Sequence, residues 1–417
     1  MQLALTSPAR KFALLLAVLF LAAVYVGVSA LEFLGAHYSE KDDLVSLNRA
    51  VRLEPRNAEY RYRLGRFLAL TQNPPDVVAS AYRAAVWLNP HRSRYWLELA
   101  AAYQLLGDDA AQADALKHAI AADPRTPDVA WRAGNFFLVQ GDTQSALREF
   151  HTVLENDPSL SPAAIQLSWR VRPDIDTILH DVMPSDPQAY YALMDTLITK
   201  KETAALAKTW AQLAALRQPV ESRRVFEYMR YLIAQHQVDQ ARLVWQQAAV
   251  LSDLSSYQPS RQNLVVNGDF SLPVLNGGFD WTYFRTKEVS LALDPTQYHS
   301  GHRSLAIDFD SRGIEDAGIR QLIPVEPNTT YEFSANYKSN NLEGAGGPRF
   351  VVQDVYSETI YFAADDMKDA DFWKPVSGTF TTGPDTQLVV LRIQRDPPGL
   401  AIKGRLWIDG VRLAEKR

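Results

Sequence analysis

The chain has 417 residues, room for two or three domains that each bury their own core. Its net charge of −5 argues against a non-specific nucleic-acid binder, which needs a basic surface to neutralise phosphates. It has no cysteine, which removes disulfides, thiol catalysis, thiolate metal sites and a lipid-modified cysteine anchor.

From Phe12 to Leu31 the chain carries no charge and is rich in Leu, Ala and Val. As a helix this run spans the ~30 Å hydrocarbon core of a bilayer. Arg10 and Lys11 precede it, and Glu32, Glu40, Asp42 and Asp43 follow with one Lys41. The basic residues put the N-terminus in the cytoplasm and everything after about residue 35 outside. A cleaved signal peptide is the rival reading, since Val28-Ser29-Ala30 suits a small-residue cleavage site. The run exceeds the usual signal core, which favours a retained anchor over residues 1–35, in a bacterial-type inner membrane with the rest periplasmic.

Pro55, Pro90, Pro124 and Pro158 punctuate the next region at spacings of 35, 34 and 34 residues. Similar sequences precede them, such as Ala-Val-Arg-Leu-Glu-Pro and Ala-Val-Trp-Leu-Asn-Pro. A period near 34 with a helix-ending proline marks stacked helical hairpins. One unit reads Trp96, Leu99, Tyr103, Gly107, Leu116, Ala119, Pro124; the next reads Gly134, Phe137, Gly141, Ala146, Phe150, Val153, Pro158. This pattern resembles tetratricopeptide repeats. Gln112 stands where alanine is usual, and Asn73-Pro74-Pro75 replaces the glycine turn of the first full unit. The array is expected over 36–251, clearest in 57–158 and degenerate in 159–251. Before Pro55, Leu47 and Ala50 fit the second helix of an incomplete first unit, whose first helix would fall on the membrane segment. In such arrays the first helices line a groove for a peptide or partner protein, and the register assigns Tyr62, Arg66, Arg94, Gln104, Trp131 and Asn135 to it. The competing reading packs Tyr62 and Trp131 between hairpins and leaves the arginines solvated.

Residues 252–262 read as a linker, and from 263 the grammar changes to strict alternation. Tyr331, Phe333, Ala335 and Tyr337 share one face of a strand; Leu305, Ile307 and Phe309, then Val389, Leu391 and Ile393, repeat the pattern. Eight to ten short strands imply an antiparallel sandwich. The fold class is therefore a membrane helix, an α-solenoid of helical hairpins and a C-terminal β-sandwich. Asn263-Leu264-x-x-Asn267-Gly268-Asp269-Phe270, Ser300-Gly301-x-x-Ser304-Leu305, Trp373-x-x-Val376-Ser377-Gly378 and Leu406-Trp407-Ile408-Asp409-Gly410-Val411 follow in order. Together they resemble the jelly-roll carbohydrate-binding modules of the cellulose- and xylan-binding type, over 263–417.

That resemblance implies sugar contacts from aromatic and amide side chains, with Trp281, Tyr283, Tyr298, Tyr356, Tyr361, Trp373, Asn341 and Gln353 as candidates. Trp281 and Trp373 fall within the motifs and could equally be core. It also implies a structural Ca2+ held by Asp269 and Asp409. Ser271 and Gly410 stand where further carboxylates are common, so the alternative is that Asp269 serves a turn and Asp409 a strand end.

No catalytic constellation stands out. There is no phosphate loop, His-Glu-x-x-His or Gly-x-Ser-x-Gly. Asp308 and Asp310 lie two apart on one strand face, whereas a glycosidase pair normally flanks the scissile bond. The expectation is a non-enzymatic, membrane-anchored envelope scaffold whose groove docks a partner and whose sandwich binds carbohydrate, as an accessory factor for surface polysaccharide. The alternatives are a purely structural sandwich and a glycan-cleaving enzyme.

Overall fold

A computed structural model describes residues 7–416; the first six residues of the expected cytoplasmic tip, and Arg417, lie outside the described residues. The chain divides into two compact units, Met1–Gln212 and Leu213–Arg417.

The first unit is helical. Its α1 spans Pro8–Ser39, and α2 spans Leu44–Leu53. By length and composition α1 could cross a membrane, a test that an N-terminal signal sequence also passes. There follow α3 (Ala58–Leu70), α4 (Pro75–Leu88), α5 (Ser93–Leu106), α6 (Asp109–Ala122), α7 (Pro127–Val139) and α8 (Thr143–Asn156). Each of Pro55, Pro90, Pro124 and Pro158 stands just past the end of a second helix, where a missing N–H costs nothing. Asp43, Asp108 and Asp142 cap the second helices α2, α6 and α8 by accepting from the backbone of Ser46, Ala111 and Ser145.

The first helix of the incomplete first hairpin is the end of α1 itself. Phe12 to Leu34 is exposed, and burial begins at Gly35. A Cβ on Gly35 would lie 3.2 Å from the Tyr60 ring and 2.5 Å from the Glu54 carboxylate, so α2 and α3 can close on α1 only at a glycine. Arg63 Nη1 then donates to the carbonyl of Ser39 at 3.2 Å. After α8 the pattern shortens to α9 (Ser161–Val171) and the seven-residue α10 (Ile175–Asp181), then resumes with α11 (Pro187–Lys200) and α12 (Thr203–Ala215).

The second unit pairs the last helical hairpin with the sandwich. Its helices are α13 (Ser222–Ala234) and α14 (Val238–Leu251), with His236 at φ 60° serving the turn where earlier hairpins use glycine. One sheet has the order β1 (Thr282–Tyr283), β4 (Asp316–Pro324), β9 (Leu388–Asp396), β6 (Gly347–Asp354), β7 (Ile360–Ala363). The other has the order β2 (Val289–Asp294), β3 (Ser304–Gly313), β10 (Ala401–Glu415), β5 (Thr330–Gly344), β8 (Lys374–Thr381). Neighbouring strands are antiparallel, and the inward faces share one core that includes Phe309, Phe333, Phe350, Leu391 and Leu406.

The expected linker at 252–262 is not an extended tether. Ser255–Tyr257 forms a 3-10 turn, and Tyr257 is buried with its hydroxyl donating to the carbonyl of Pro273 at 2.9 Å. Trp245 of α14 donates its Nε1–H to the carbonyl of Tyr257 at 3.1 Å and meets Phe279 edge-on at 5.9 Å. Gly278, at φ 63°, leaves the space that Trp245 fills, since a Cβ there would sit 2.1 Å from the indole. Farther along, Arg242 pairs with Glu326 at 2.7 Å, and His236 stacks on Tyr356 at 4.0 Å. The domain boundary therefore precedes this hairpin instead of following it.

Trp245→Ala should cost the second unit ~3–5 kcal/mol, the usual range for a fully buried large side chain. Denaturant unfolding followed by sandwich fluorescence measures this, and an unchanged midpoint would mean that the hairpin does not brace the sandwich.

Candidate functional site

The sugar candidates read from the sequence do not converge. Trp281 is a core residue, 1% exposed, stacked on Phe270 at 5.2 Å with its Nε1–H given to the carbonyl of Asn267. Tyr356 lies under His236, its hydroxyl donating to the carbonyl of Ile233 at 2.9 Å. The Tyr361 hydroxyl is engaged by Thr386 and by the amide of Gly383. Trp281 is corrected to a core role by its burial; Tyr356 and Tyr361 are half-buried, with their hydroxyls already bonded within the fold. Tyr283 and Tyr298 are exposed, and Trp373 is half-buried, edge-on to His299 at 5.8 Å. Asn341 is exposed in β5 at φ 49°. Gln353 alone joins a wider polar set, on the first sheet.

That set follows from strand alternation. Ile319, Ile323, Phe350, Val352, Leu391 and Ile393 enter the core, so Arg320, Arg349, Gln353, Arg392 and Gln394 face outward. Register places Arg320 directly opposite Arg392, and Arg349 opposite Gln394. Arg349 is neutralised by Asp366 at 2.8 Å and Asp396 at 2.9 Å. Arg392 is held only by amide oxygens: Gln353 Oε1 accepts from its Nη2, and Gln394, with its amide turned oxygen-first, accepts from its Nε at 3.2 Å. Arg320 is exposed and has no hydrogen-bonded or ion-paired partner among the described residues. Burial raises the carboxyl pKa of the nearby Asp316, while a hydrogen bond from the amide of Gly318 and the charges of Arg392 and Arg320 pull it back. Two like charges directly across a sheet repel and destabilise it. Among the described residues neither guanidinium of this cross-strand pair has a bonded carboxylate.

The outward face of the second sheet is closed on itself. Arg405 is bidentate to Asp308, and Trp407, under that guanidinium, donates to Asp294 at 2.8 Å. Asp310 pairs with Arg312 at 3.5 Å. The two aspartates are thus spent on neighbouring arginines and do not form a glycosidase-like pair. A cleft of about 770 Å³ opens at the edge shared by β1 and β2, lined by Tyr283, Phe284, Leu291, Phe309, Arg285 and Lys287 among others.

Asp269 and Asp409 do not make a cation site as arranged. Asp409 accepts from the amides of His299, Ser300 and Gly410 at 2.5–2.6 Å and from the Ser300 hydroxyl at 2.9 Å. Asp269 accepts from the amide and hydroxyl of Ser271. Donors point at both carboxylates where a calcium ion would need free oxygens. No group of three or more His, Cys, Asp or Glu able to hold a metal occurs among the described residues. The pair as arranged therefore does not fit the calcium that the motifs implied: Asp409 fastens the turn at 299–300, and Asp269 holds Ser271.

In the helical unit, Tyr62 is also corrected. It is 3% exposed, wedged 4.9 Å from the Tyr95 ring with the Arg94 guanidinium 4.4 Å over its face. Trp131 leans on Phe150 at 5.8 Å, and Asn135 bonds back to the Trp131 carbonyl. Arg66, Arg94 and Gln104 are exposed as expected. Arg66 and Arg94 line one hollow of about 640 Å³ with Glu59, which pairs with Arg94 at 3.0 Å.

Residues 262–399 match the family model described as a carbohydrate binding domain. No curated protein matches the chain. Among solved structures, a carbohydrate-binding module of family 4 is 17% identical, with 36% of this chain and 99% of that one covered and a TM-score of 0.28. The xylan-binding module CBM22-1 of Paenibacillus barcinonensis Xyn10C is 16% identical over 36% and 91%, with a TM-score of 0.27. A tetratricopeptide repeat protein from Parabacteroides merdae is 17% identical over 54% and 93%, with a TM-score of 0.31. Each is a likeness only. The chain joins stacked helical hairpins of tetratricopeptide-like spacing to a sandwich in which residues 262–399 match a carbohydrate binding domain.

Beneath the sandwich rim, Asp280 is fully buried; one oxygen accepts from the amide of Leu275 and the other has no partner. Burial raises its pKa to about 7. An unfolded Asp ionises near ~3.9, so the folded state loses stability as pH climbs from there to about 7 and keeps that penalty above it. Asp280→Asn should raise the melting temperature by ~5 °C or more at pH 8 and by far less at pH 4. Equal shifts at both pH values in a thermal melt would contradict this.

Proposed function

We propose that this protein is a non-catalytic, membrane-anchored glycan-binding scaffold, and that its sandwich takes an acidic polysaccharide on the outward side of the first sheet, at the exposed Arg320 and the half-buried Arg392. The observation that carries the reading is the cross-strand pair Arg320–Arg392, left without a bonded carboxylate on a domain of the carbohydrate-binding type. A uronate carboxylate between the two guanidiniums would relieve their repulsion and form charge-assisted, bidentate hydrogen bonds. Gln394, half-buried beside Arg392, then offers an amide for a hydroxyl of a flanking sugar, while Gln353 is buried and spent on Arg392 and the carbonyl of Glu358. Stacking is not the main device here, because the outward positions of β4, β9 and β6 carry no aromatic residue.

The helical array would dock a partner protein through the Arg66–Arg94 hollow. Together the two units suit an accessory factor in the synthesis, export or retention of a surface polysaccharide, in an envelope compartment outside the inner membrane. The docking of α13–α14 on the sandwich favours a second reading, in which the sandwich is only an assembly element.

Binding of the full chain to polygalacturonate and alginate, compared with neutral glucan and xylan, separates the two. The acidic polymers should bind more tightly, weaken with added salt, and lose roughly tenfold affinity in Arg320→Gln or Arg392→Gln, about the worth of one charge-assisted contact. Equal retention of neutral polymers, or indifference to both variants, would favour the structural reading. No reducing ends should appear during these incubations.

A further inference from the structure

We infer that the proline-turn edge of the helical array lies against an anionic phospholipid surface, so that the array is laid along the bilayer instead of standing away from it. The inference rests on the reading of α1 as a membrane span, and its geometry comes from how α1 meets the first hairpins.

Two contacts fix the level of the array along α1. Gly35 faces Tyr60, and Ser39 accepts from Arg63. Both pairs advance together, so α3 runs parallel to the end of α1, with residue 60 level with 35 and residue 63 level with 39. At ~1.5 Å per residue, the start of α3 and the turn at 54–57 fall beside residues just past Leu31. That is where the uncharged run ends and the headgroup layer would begin. No tether intervenes, because α1 is continuous from Pro8 to Ser39.

The turns at Pro90 and Pro124 occupy the same end of their hairpins as the turn at Pro55, each leading into a first helix. All three carry basic side chains directly after the proline: Arg56, then His91 and Arg92, then Arg125. All are exposed, and no side chain of the three arginines has a hydrogen-bonded or ion-paired partner among the described residues. The carboxylates at the same turns already have partners, and Asp128, exposed just beyond the third turn, pairs with Arg132 at 3.1 Å. Glu54 accepts from Tyr60 and Asn57, and Asp123 accepts from Thr126. The fourth turn, Pro158-Ser159-Leu160, has no basic residue. At the opposite end, the turns around Gly107 and Gly141 carry Asp108, Asp109 and Asp142 and no Lys or Arg. The array is therefore basic where α1 leaves the expected bilayer and acidic at the far end. An anionic lipid surface complements that polarity, each basic side chain near it contributing roughly a factor of five in affinity.

The lack of native cysteine allows a direct test with single labels on the full chain in liposomes. Ala121→Cys places a dye beside the third proline turn, Gln140→Cys places one at the opposite end, and Tyr25→Cys reports on α1. Energy transfer to a headgroup acceptor is read in phosphatidylcholine with and without phosphatidylglycerol. The expected result is strong transfer from position 121 only with phosphatidylglycerol, falling with salt and in the Arg56→Gln, Arg92→Gln, Arg125→Gln triple variant, and weak transfer from position 140 throughout. Equal transfer from 121 and 140, or no dependence on lipid charge, would overturn the inference. If the label at 25 escapes quenching by acyl-chain quenchers, the membrane reading itself fails, an outcome distinct from a spanning α1 with an undocked array.

Discussion

A β-strand has two faces, and in this sandwich the core claims one of them completely. That constraint shapes what the second unit can do. Ile319, Leu391 and Ile393 must point inward to meet Phe333 and Leu406, which forces Arg320, Arg392 and Gln394 outward whatever their chemistry. The outer set has no flat rings; it mixes guanidinium and amide groups with Leu322, Val351 and Val390, of which Val351 is itself buried. On the second sheet the outward positions are used differently, for a ladder of internal pairs such as Asp308–Arg405 that leaves little to offer a ligand.

The helical unit obeys a comparable rule. Each hairpin buries one stripe, and its two ends face different surroundings. Because the first hairpin borrows its first helix from α1, the orientation of the whole array follows from that helix. The closing hairpin shows how far packing can override a boundary suggested by composition. Ser252 to Gln262 is polar enough for a linker, yet Trp245, Tyr257 and Phe279 draw α13 and α14 onto the sandwich.

The architecture was legible in the sequence to a large extent, because both repeat spacing and strand alternation are periodic signals. The prolines located the hairpin turns, and the alternation in 305–309 and 389–393 located core strands. The candidate site was less legible. Aromatic residues near strand ends read as sugar platforms, but Trp281 is buried and Tyr356 is engaged by contacts distant in sequence. Burial of that kind cannot be read from spacing. The arginines do carry a signal: once Val389, Leu391 and Ile393 are inward, Arg392 and Gln394 must be outward. What the sequence could not show is that Arg320 and Arg392 are cross-strand neighbours, since register depends on turns and bulges between strands far apart in the chain. Asp269 and Asp409 matched a calcium motif by position, while the direction of the donors around them became visible only in three dimensions.

Hydrogen–deuterium exchange of the full chain, with and without saturating polyuronate, tests the central claim most directly. The account predicts added protection in 316–324, 347–354 and 388–396, the strands that carry the arginine face, with none in the edge cleft around 283–293. Protection confined to that cleft, or no change anywhere in the sandwich, would contradict it.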